Sequence, residues 1–234
     1  EARGTLFYEY ARLVEEIQPK VFIYENVTGM LNHDGGHTWE VISNIFNTLG
    51  YVWKYWVLNA KDFGLPQNRR RIFVVGFKND LSSFFEKIMD PQKIKLTHDM
   101  SALLENDIEN KYYLPEKGFK RAIDPNQKKH VALNGKIARC QVACQQYNWF
   151  GDMRFETLIP KRIEDDDRIY KGEYEGKRGI ARCLTPRECL RLMGFADTFK
   201  IVVPDTHMYR QVGNSIAVNV MMGVVKRINL TEVF

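Results

Sequence analysis

Val21-Phe22-Ile23-Tyr24-Glu25-Asn26-Val27-Thr28-Gly29-Met30 decides the fold. Four apolar residues run without alternation into a carboxylate, an amide and a glycine. Such a run is the pattern of a strand buried on both faces, as in a parallel sheet. In open α/β sheets, ligands bind just past the carboxyl ends of the strands. Glu25 falls at that end and is expected to be a functional carboxylate held by a rigid strand.

Working outward, Leu6, Phe7, Tyr10, Ala11, Leu13, Val14 and Ile17 fit one amphipathic helix, with Thr5 as its N-cap and Pro19 as its stop. Downstream, the polar stretch 32–37 reads as a turn, and its two histidines, His33 and His37, as loop residues rather than metal ligands. Thr38 is expected to cap a helix over 39–49 that Gly50 closes. The β-formers of 51–59 read as a strand. A loop, Gln67-Asn68-Arg69-Arg70-Arg71, and the apolar run 72–77 follow. Helix, strand, helix, strand, loop, strand is half of a doubly wound α/β sheet.

Beyond residue 78 the texture changes to short apolar pieces, many charges, proline, glycine and aromatics. A smaller, mostly β and loop region is expected there. Within it, Gln145, Gln146, Tyr147 and Asn148 gather amides and an aromatic before Gly151. Paired donors and acceptors let such amides read base edges, and these four are the candidate DNA-contacting residues. A polar turn over a small core is the alternative. Ile137-Ala138-Arg139-Cys140 recurs as Ile180-Ala181-Arg182-Cys183, too short an echo to define a repeat. Thr185-Pro186-Arg187-Glu188 carries a cap, a proline at the first helical position and a capping-box glutamate. Near the end, Gly213-Asn214-Ser215 reads as a turn into an apolar helix from Ile216, offering N–H groups to an anion.

The 234 residues are 44% hydrophobic and 27% charged, which excludes disordered and fibrous classes. A net charge of +5 permits a polyanionic partner. No apolar run approaches a membrane span and no signal peptide is present, so reduced thiols and a cytosolic setting are expected, with no membrane partner. Cys140, Cys144, Cys183 and Cys189 do not follow a zinc spacing and read as small apolar thiols.

Four pieces stand in order: Glu25-Asn26-Val27 at a strand end, Gln67-x-Arg69-x-Arg71 before a strand, Pro186-Arg187-Glu188-Cys189 with Met193-Gly194-Phe195, and Gly213-Asn214-Ser215 into a helix. Together they resemble the DNA (cytosine-5)-methyltransferases of the bacterial modification type, over residues 1–80 and 178–228. The resemblance implies a partial Rossmann-like S-adenosylmethionine-dependent methyltransferase sheet, α/β in class, plus a smaller β/loop target-recognition domain. The implied division is 1–80 for the C-terminal half of the catalytic domain, 81–205 for target recognition, and 206–234 for a helix returning to the catalytic domain.

The implied chemistry is methyl transfer from S-adenosyl-L-methionine to C5 of a cytosine flipped out of double-stranded DNA. In the family a cysteine thiolate adds to C6, C5 then takes the methyl group, and the C5 proton and the cysteine leave. By the resemblance Glu25 meets N3, holding or sharing a proton as a carboxyl of raised pKa can. Arg71 contacts O2, and Arg69 supports the flipped base. On a strand, Arg69 and Arg71 would share a face while Arg70 points away. Leu6, Asn214, Ser215 and Ile216 match cofactor-contacting positions, and Pro186, Arg187 and Glu188 match an architectural motif that orients the recognition domain.

The departures are as informative. The family's Pro-Cys nucleophile, its glycine-rich cofactor loop and its acidic ribose ligand are missing. If Ile137-Ala138 aligns with the segment before the family's Thr-Leu or Thr-Val pair, Cys140-Gln141 stands in its place; otherwise the pair has no counterpart at these positions. The sequence opens at Glu1 and enters a helix at once. The expectation is therefore a C-terminal portion, inactive alone, partnered by an N-terminal half or separate subunit that carries the Pro-Cys, in a bacterial restriction–modification setting. Two alternatives stay open: a DNA-binding or specificity fragment without catalysis, and a tRNA cytosine-5 methyltransferase.

Overall fold

The computed structural model describes residues 2–146 and 149–234, with backbone alone for residues 2–5. The chain gathers into two units that are discontinuous in sequence. The first takes the residues up to Asn59, then 70–93 and 220–234; the second takes 60–69 and 94–219.

The first unit holds α1 (Ala2–Ile17), β1 (Val21–Val27), α2 (His37–Thr48), β2 (Tyr51–Asn59), β3 (Arg70–Lys78) and the short α3 (Ser82–Phe85). Its sheet has the order β1-β3-β2, and both pairings are antiparallel. This corrects the reading of β1 as a strand of a parallel sheet with two buried faces. Phe22 and Tyr24 point into the core, whereas Val21, Ile23 and Glu25 on the opposite face are half-buried. The run buried on both faces is Ile72 to Phe77 of β3, the middle strand. Phe7 and Val14 of α1 and Ile42 and Phe46 of α2 close over Phe22, Tyr24, Ile72 and Val74. Each such side chain taken from water contributes about 1.5–3 kcal/mol.

Both expected caps in this unit shift. The first helix begins at Ala2, so Thr5 lies within it. The second begins at His37, behind Gly36 at φ 98°, a left-handed value that suits glycine. Thr38 instead pairs its Oγ1 with His33 Nδ1 at 2.7 Å.

The second unit contains α4 (Glu116–Ile123), β4 (Val131–Leu133), β5 (Gly151–Glu156), α5 (Lys161–Glu164), β6 (Lys171–Tyr174), β7 (Lys177–Cys183), α6 (Pro186–Leu192) and α7 (Asp205–Asn214); α8 (Val218–Asn229) follows. The sheet order is β4-β5-β7-β6, with β4 and β5 parallel and the other pairs antiparallel. Met153, Phe155 and Ala181 pack on one face against Leu114 and against Phe119 and Ala122 of α4. The echo of Ile-Ala-Arg-Cys falls in a strand at 180–183 but outside the strands at 137–140, so it marks no repeat.

The start of α6 matches its sequence signature. Thr185 Oγ1 accepts the Glu188 N–H at 3.1 Å, and the Glu188 carboxylate accepts the Thr185 N–H at 2.8 Å. The expected turn at Gly213 is corrected. Residues 205–214 form a continuous helix, the break comes at 215–217, and the apolar helix starts at Val218. Glycine is needed at 213 for a different reason. A Cβ there would lie 2.1 Å from the Val142 carbonyl carbon, so the helix and the 142–143 backbone touch directly. Gly213→Ala is expected to destabilise the second unit by about 2–3 kcal/mol through this backbone clash, despite alanine's better helix propensity. Urea unfolding reads the effect, and a stabilised variant would refute it.

Candidate functional site

Glu25 and Arg71 meet on the sheet of the first unit. Glu25 lies opposite Phe73 and Val27 opposite Arg71, so the carboxylate and the guanidinium are diagonal neighbours on one face. Arg71 Nε is 3.3 Å from Glu25 Oε1, and the two side chains are 15% and 18% exposed. Arg71 Nη1 also donates to the Arg70 carbonyl at 2.9 Å. Asn26 shapes the strand end: its Oδ1 accepts the Val27 N–H at 2.8 Å and its Nδ2 donates to Tyr24 Oη at 2.6 Å. Tyr24 in turn donates to Met30 Sδ at 3.5 Å. The Glu-Asn-Val order thus has a local logic, with the amide fastening the backbone beside the carboxylate.

Arg69 belongs to the second unit. The β3 strand begins at Arg70, so the expected strand alternation between Arg69 and Arg71 does not apply. Arg69 is buried and serves three carbonyls. Nη1 donates to Gln141 O at 2.7 Å, and Nη2 donates to Gly213 O at 3.1 Å and Ser215 O at 2.6 Å. A planar fork with fixed donors suits this work.

Gln67, the first residue of the Gln67-x-Arg69-x-Arg71 piece and without an assigned role in the sequence, does the same with an amide. Its Nε2 donates to Leu192 O at 2.8 Å and its Oε1 accepts the Gln141 N–H at 3.0 Å. Backbone bonds from Ala138 N to Pro66 O and from Asn68 N to Ala138 O, both 2.8 Å, complete the rung. The signal in the sequence was the motif itself: a glutamine two residues before the arginine, at a position that proves to be fully buried.

Gln145 is also interior. Its amide donates to Gln141 Oε1 and to Cys189 Sγ at 3.1 Å, and its Oε1 accepts the Val142 N–H at 3.4 Å. Gln146 donates to the Asp152 carbonyl at 3.1 Å. The Gln145 amide is thus committed within the fold, whereas Gln146 is half-buried and its Oε1 has no hydrogen-bond partner among the described residues. Tyr147 and Asn148 lie outside the described residues.

Asp152 is 1% exposed. Its Oδ2 accepts the Arg139 N–H at 2.9 Å, while Oδ1 has no hydrogen-bond partner among the described residues. Burial pushes this carboxyl up to about 6, against the Arg139 amide bond and the charges of Arg139 and Arg154. A folded value above the ordinary 3.8 means that the fold holds the proton more tightly than the unfolded chain does. The resulting penalty is absent below a pH of about 4, grows as pH rises, and is complete above about 6. Asp152→Asn is expected to flatten this dependence and to raise stability at alkaline pH by on the order of 2 kcal/mol. Urea midpoints measured in acid and in weak alkali check it; a pH dependence identical to that of the parent protein would refute it.

Among the candidate cofactor residues, Leu6 of α1 is 72% exposed and belongs to the first unit. Asn214, exposed, and Ser215 and Ile216, half-buried, belong to the second. Ser215 Oγ donates to the Val212 carbonyl at 2.9 Å, closing the end of α7. Arg187 donates to Phe199 O at 2.7 Å, holding the segment after α6. Burial pushes the Cys183 thiol up to about 12 and that of Cys189 well above its ordinary range, so neither is a thiolate at neutral pH. Among the described residues no group of three or more His, Cys, Asp or Glu side chains is placed to hold a metal ion. A cleft of about 300 Å³ in the second unit is lined by Glu105, Asp107, Glu109 and Asp205 beside Lys111 and Arg187, an acid surplus that does not suit a polyanion.

The family model for C-5 cytosine-specific DNA methylases matches residues 1–230. The chain belongs to the C-5 cytosine-specific DNA methylase family, whose members use S-adenosyl-L-methionine. The Type II methyltransferase M.SsoII of Shigella sonnei is 35% identical over 232 residues, covering 97% of this chain and 58% of that protein. M.HhaI of Haemophilus parahaemolyticus is 33% identical over 227 residues, covering 94% of this chain and 66% of its own. The chain thus spans rather more than half the length of these relatives. Among solved structures, a DNMT2 mutant of Spodoptera frugiperda matches 95% of this chain and 71% of its own, with a TM-score of 0.71 at 18% identity. The Dnmt2 methyltransferase of S. pombe matches 92% and 69%, with a TM-score of 0.64 at 18% identity. These likenesses bear on the fold, and they agree with an α/β, partial Rossmann-like methyltransferase sheet. No described helix is long and apolar enough to cross a membrane.

Proposed function

We propose that this chain is the C-terminal part of a DNA (cytosine-5)-methyltransferase. It would act on a cytosine flipped from a specific site in duplex DNA, in the bacterial cytoplasm. The observation that carries the reading is the Glu25–Arg71 pair, a carboxylate and a guanidinium 3.3 Å apart on one sheet face. Nucleophilic addition at C6 of cytosine pushes negative charge into the ring, toward N3 and O2. Glu25 holds or shares the proton at N3, and Arg71 donates to O2; fixed groups at the places where charge develops are what lower such a barrier. Arg69, in the second unit, supports the reaction through the backbone it fastens, the carbonyls of Gln141, Gly213 and Ser215.

S-Adenosyl-L-methionine supplies the methyl group when bound. Residues of each unit have chemistry that suits such a ligand: in the first, Leu6 is exposed for apolar contact, and in the second, Asn214 is an exposed amide. Leu6, Asn214, Ser215 and Ile216 would hold it.

The nucleophile in this reading comes from a Pro-Cys in an N-terminal part, either continuous with this chain or a separate subunit. Two features favour such a complement. In the described sheet β1 is an edge strand, and a long exposed edge invites another strand. On α1, Leu6, Leu13 and Ile17 form an exposed apolar stripe at helical spacing.

The experiment is methyl transfer from labelled S-adenosylmethionine to duplex DNA. It is run with this chain alone and with the chain joined to, or mixed with, the N-terminal part of a relative such as M.SsoII. Transfer only with the complement supports the reading. Transfer by the chain alone removes the missing nucleophile from it, and DNA binding without transfer in either case favours a specificity fragment. A tRNA competitor separates the RNA-directed alternative.

A further inference from the structure

The sheet of the second unit has a charged face. Asp152, Arg154 and Glu156 of β5 alternate with the core residues Met153 and Phe155, so they point away from the apolar cluster. Arg154 lies directly opposite Arg182 of β7. Like charges at opposed positions of a ladder repel one another.

The two arginines are treated differently. Arg182 is 1% exposed and fully answered: Glu188 takes its Nη1 and Nη2 at 2.9 Å each, and Glu156 takes its Nε at 2.6 Å. Arg154 is half-buried, and its one side-chain hydrogen bond among the described residues is a long 3.5 Å contact from Nη1 to the Gly135 carbonyl. It forms no ion pair there. Burial and the neighbouring Arg182 both press its pKa down, while Glu156, Glu188 and Asp99 pull the other way.

More positive charge gathers beside it. Lys136, exposed, and Arg139, half-buried, lie on the 134–139 segment. The contact of Arg154 Nη1 with the Gly135 carbonyl brings it to the residue next to Lys136, and the bond from Arg139 N to Asp152 Oδ2 ties the same segment to β5, so these cations share one neighbourhood. Arg139 is already engaged, with Nη2 donating to the Lys128 carbonyl. Arg154 and Lys136 are the cations left to serve something outside the fold.

We propose that Arg154, with Lys136 beside it, is a phosphate-binding site that takes a backbone phosphate of the DNA duplex. The proposal rests on the DNA-methyltransferase reading for the source of the phosphate. The chemistry fits the anion: a guanidinium presents parallel N–H donors that match phosphate oxygens, and the ammonium adds a mobile point charge. An incoming phosphate relieves the Arg154–Arg182 repulsion. A contact of this kind positions the recognition unit on the helix and carries no base preference.

The test uses R154Q and R154K in the whole chain. Fluorescence anisotropy with a labelled duplex is measured across salt concentrations from about 50 to 300 mM. R154Q is expected to lower the slope of log affinity against log salt by about one, with a similar loss on every duplex sequence. R154K is expected to keep most of that slope. Melting at low salt gives a second readout. R154Q is expected to raise the melting temperature, because it removes the repulsion, and to abolish any stabilisation of the parent protein by inorganic pyrophosphate.

An unchanged salt slope in R154Q overturns the proposal, and so does a lowered melting temperature, which would make Arg154 a structural residue. If the parent protein fails to bind duplex DNA but is stabilised by pyrophosphate through Arg154, the anion site stands and the DNA reading falls. If neither probe acts through Arg154, the site itself is refuted.

Discussion

Glu188→Ala is expected to cost the second unit about 3–5 kcal/mol of stability, the range found when one partner of a buried ion pair is removed. Arg182 and Glu188 are both 1% exposed and joined by two 2.9 Å bonds in a fork. Glu188 does more than neutralise the arginine. Its Oε2 accepts the Thr185 N–H at 2.8 Å and its Oε1 accepts the Glu105 N–H at 2.9 Å. Truncation therefore leaves a buried guanidinium and two backbone donors short of an acceptor, and it opens the capping box of α6. Glu156, 30% exposed, still holds Arg182 through Nε and tempers the loss. At about 2–4 °C per kcal/mol for a unit of this size, the melting temperature should fall by roughly 10 °C. Replacing Arg182 and Glu188 together by leucine should recover much of this, because the cost lies in the unpaired charge rather than in the absent pair. A loss below about 1 kcal/mol for Glu188→Ala would show that the pair is not what holds the start of α6 to β7.

The second large effect concerns chemistry. In the complemented enzyme, Glu25→Gln is expected to slow single-turnover methyl transfer about 10²–10⁴-fold, the usual scale for a lost general acid or base. DNA affinity should change little, because glutamine keeps the shape and can still hydrogen-bond to N3. What it cannot do is give or take a proton there. The sheet should survive the change, since Glu25 sits on the half-buried face of β1 and away from the Phe22–Tyr24 core. Arg71→Lys should also lower the rate, because a single ammonium cannot hold Glu25 and reach O2 with the same fixed donors. Equal rates for parent and Glu25→Gln enzymes, with DNA binding intact, would remove Glu25 from the reaction.

What was legible in the sequence was what local chemistry writes. The strand over 51–59 and the capping box at Thr185–Glu188 follow from β-formers and from one threonine–glutamate spacing, and both are where the residues predicted them. The direction of pairing was not legible. Four apolar residues in β1 look alike in a parallel and an antiparallel sheet, and the alternation of Phe22 and Tyr24 against Ile23 is hidden because all four are apolar.

The same limit applied to the motif residues. Arg69 and Arg71 read as a pair on one strand, yet β3 begins between them, and the acceptors that decide the position of Arg69 stand at 141, 213 and 215. Gln145 read as a residue for bases, because an amide advertises nothing about its surroundings. Only the placement of Gln141 and Cys189 beside it turns it inward.

The fastening of the 60–69 loop also has a timetable. Arg69 finds its acceptors at Gly213 and Ser215, 144 and 146 residues further along the chain. At ribosomal rates of about 5–20 residues per second, the guanidinium stays in water for roughly 7–30 s before those carbonyls exist. The β2 and β3 strands are complete by Lys78 and can pair in that interval, with the loop between them still uncommitted. Closure around Arg69 is therefore late: the segment two residues ahead of Arg71 takes its final form only when nearly all of the second unit has been made.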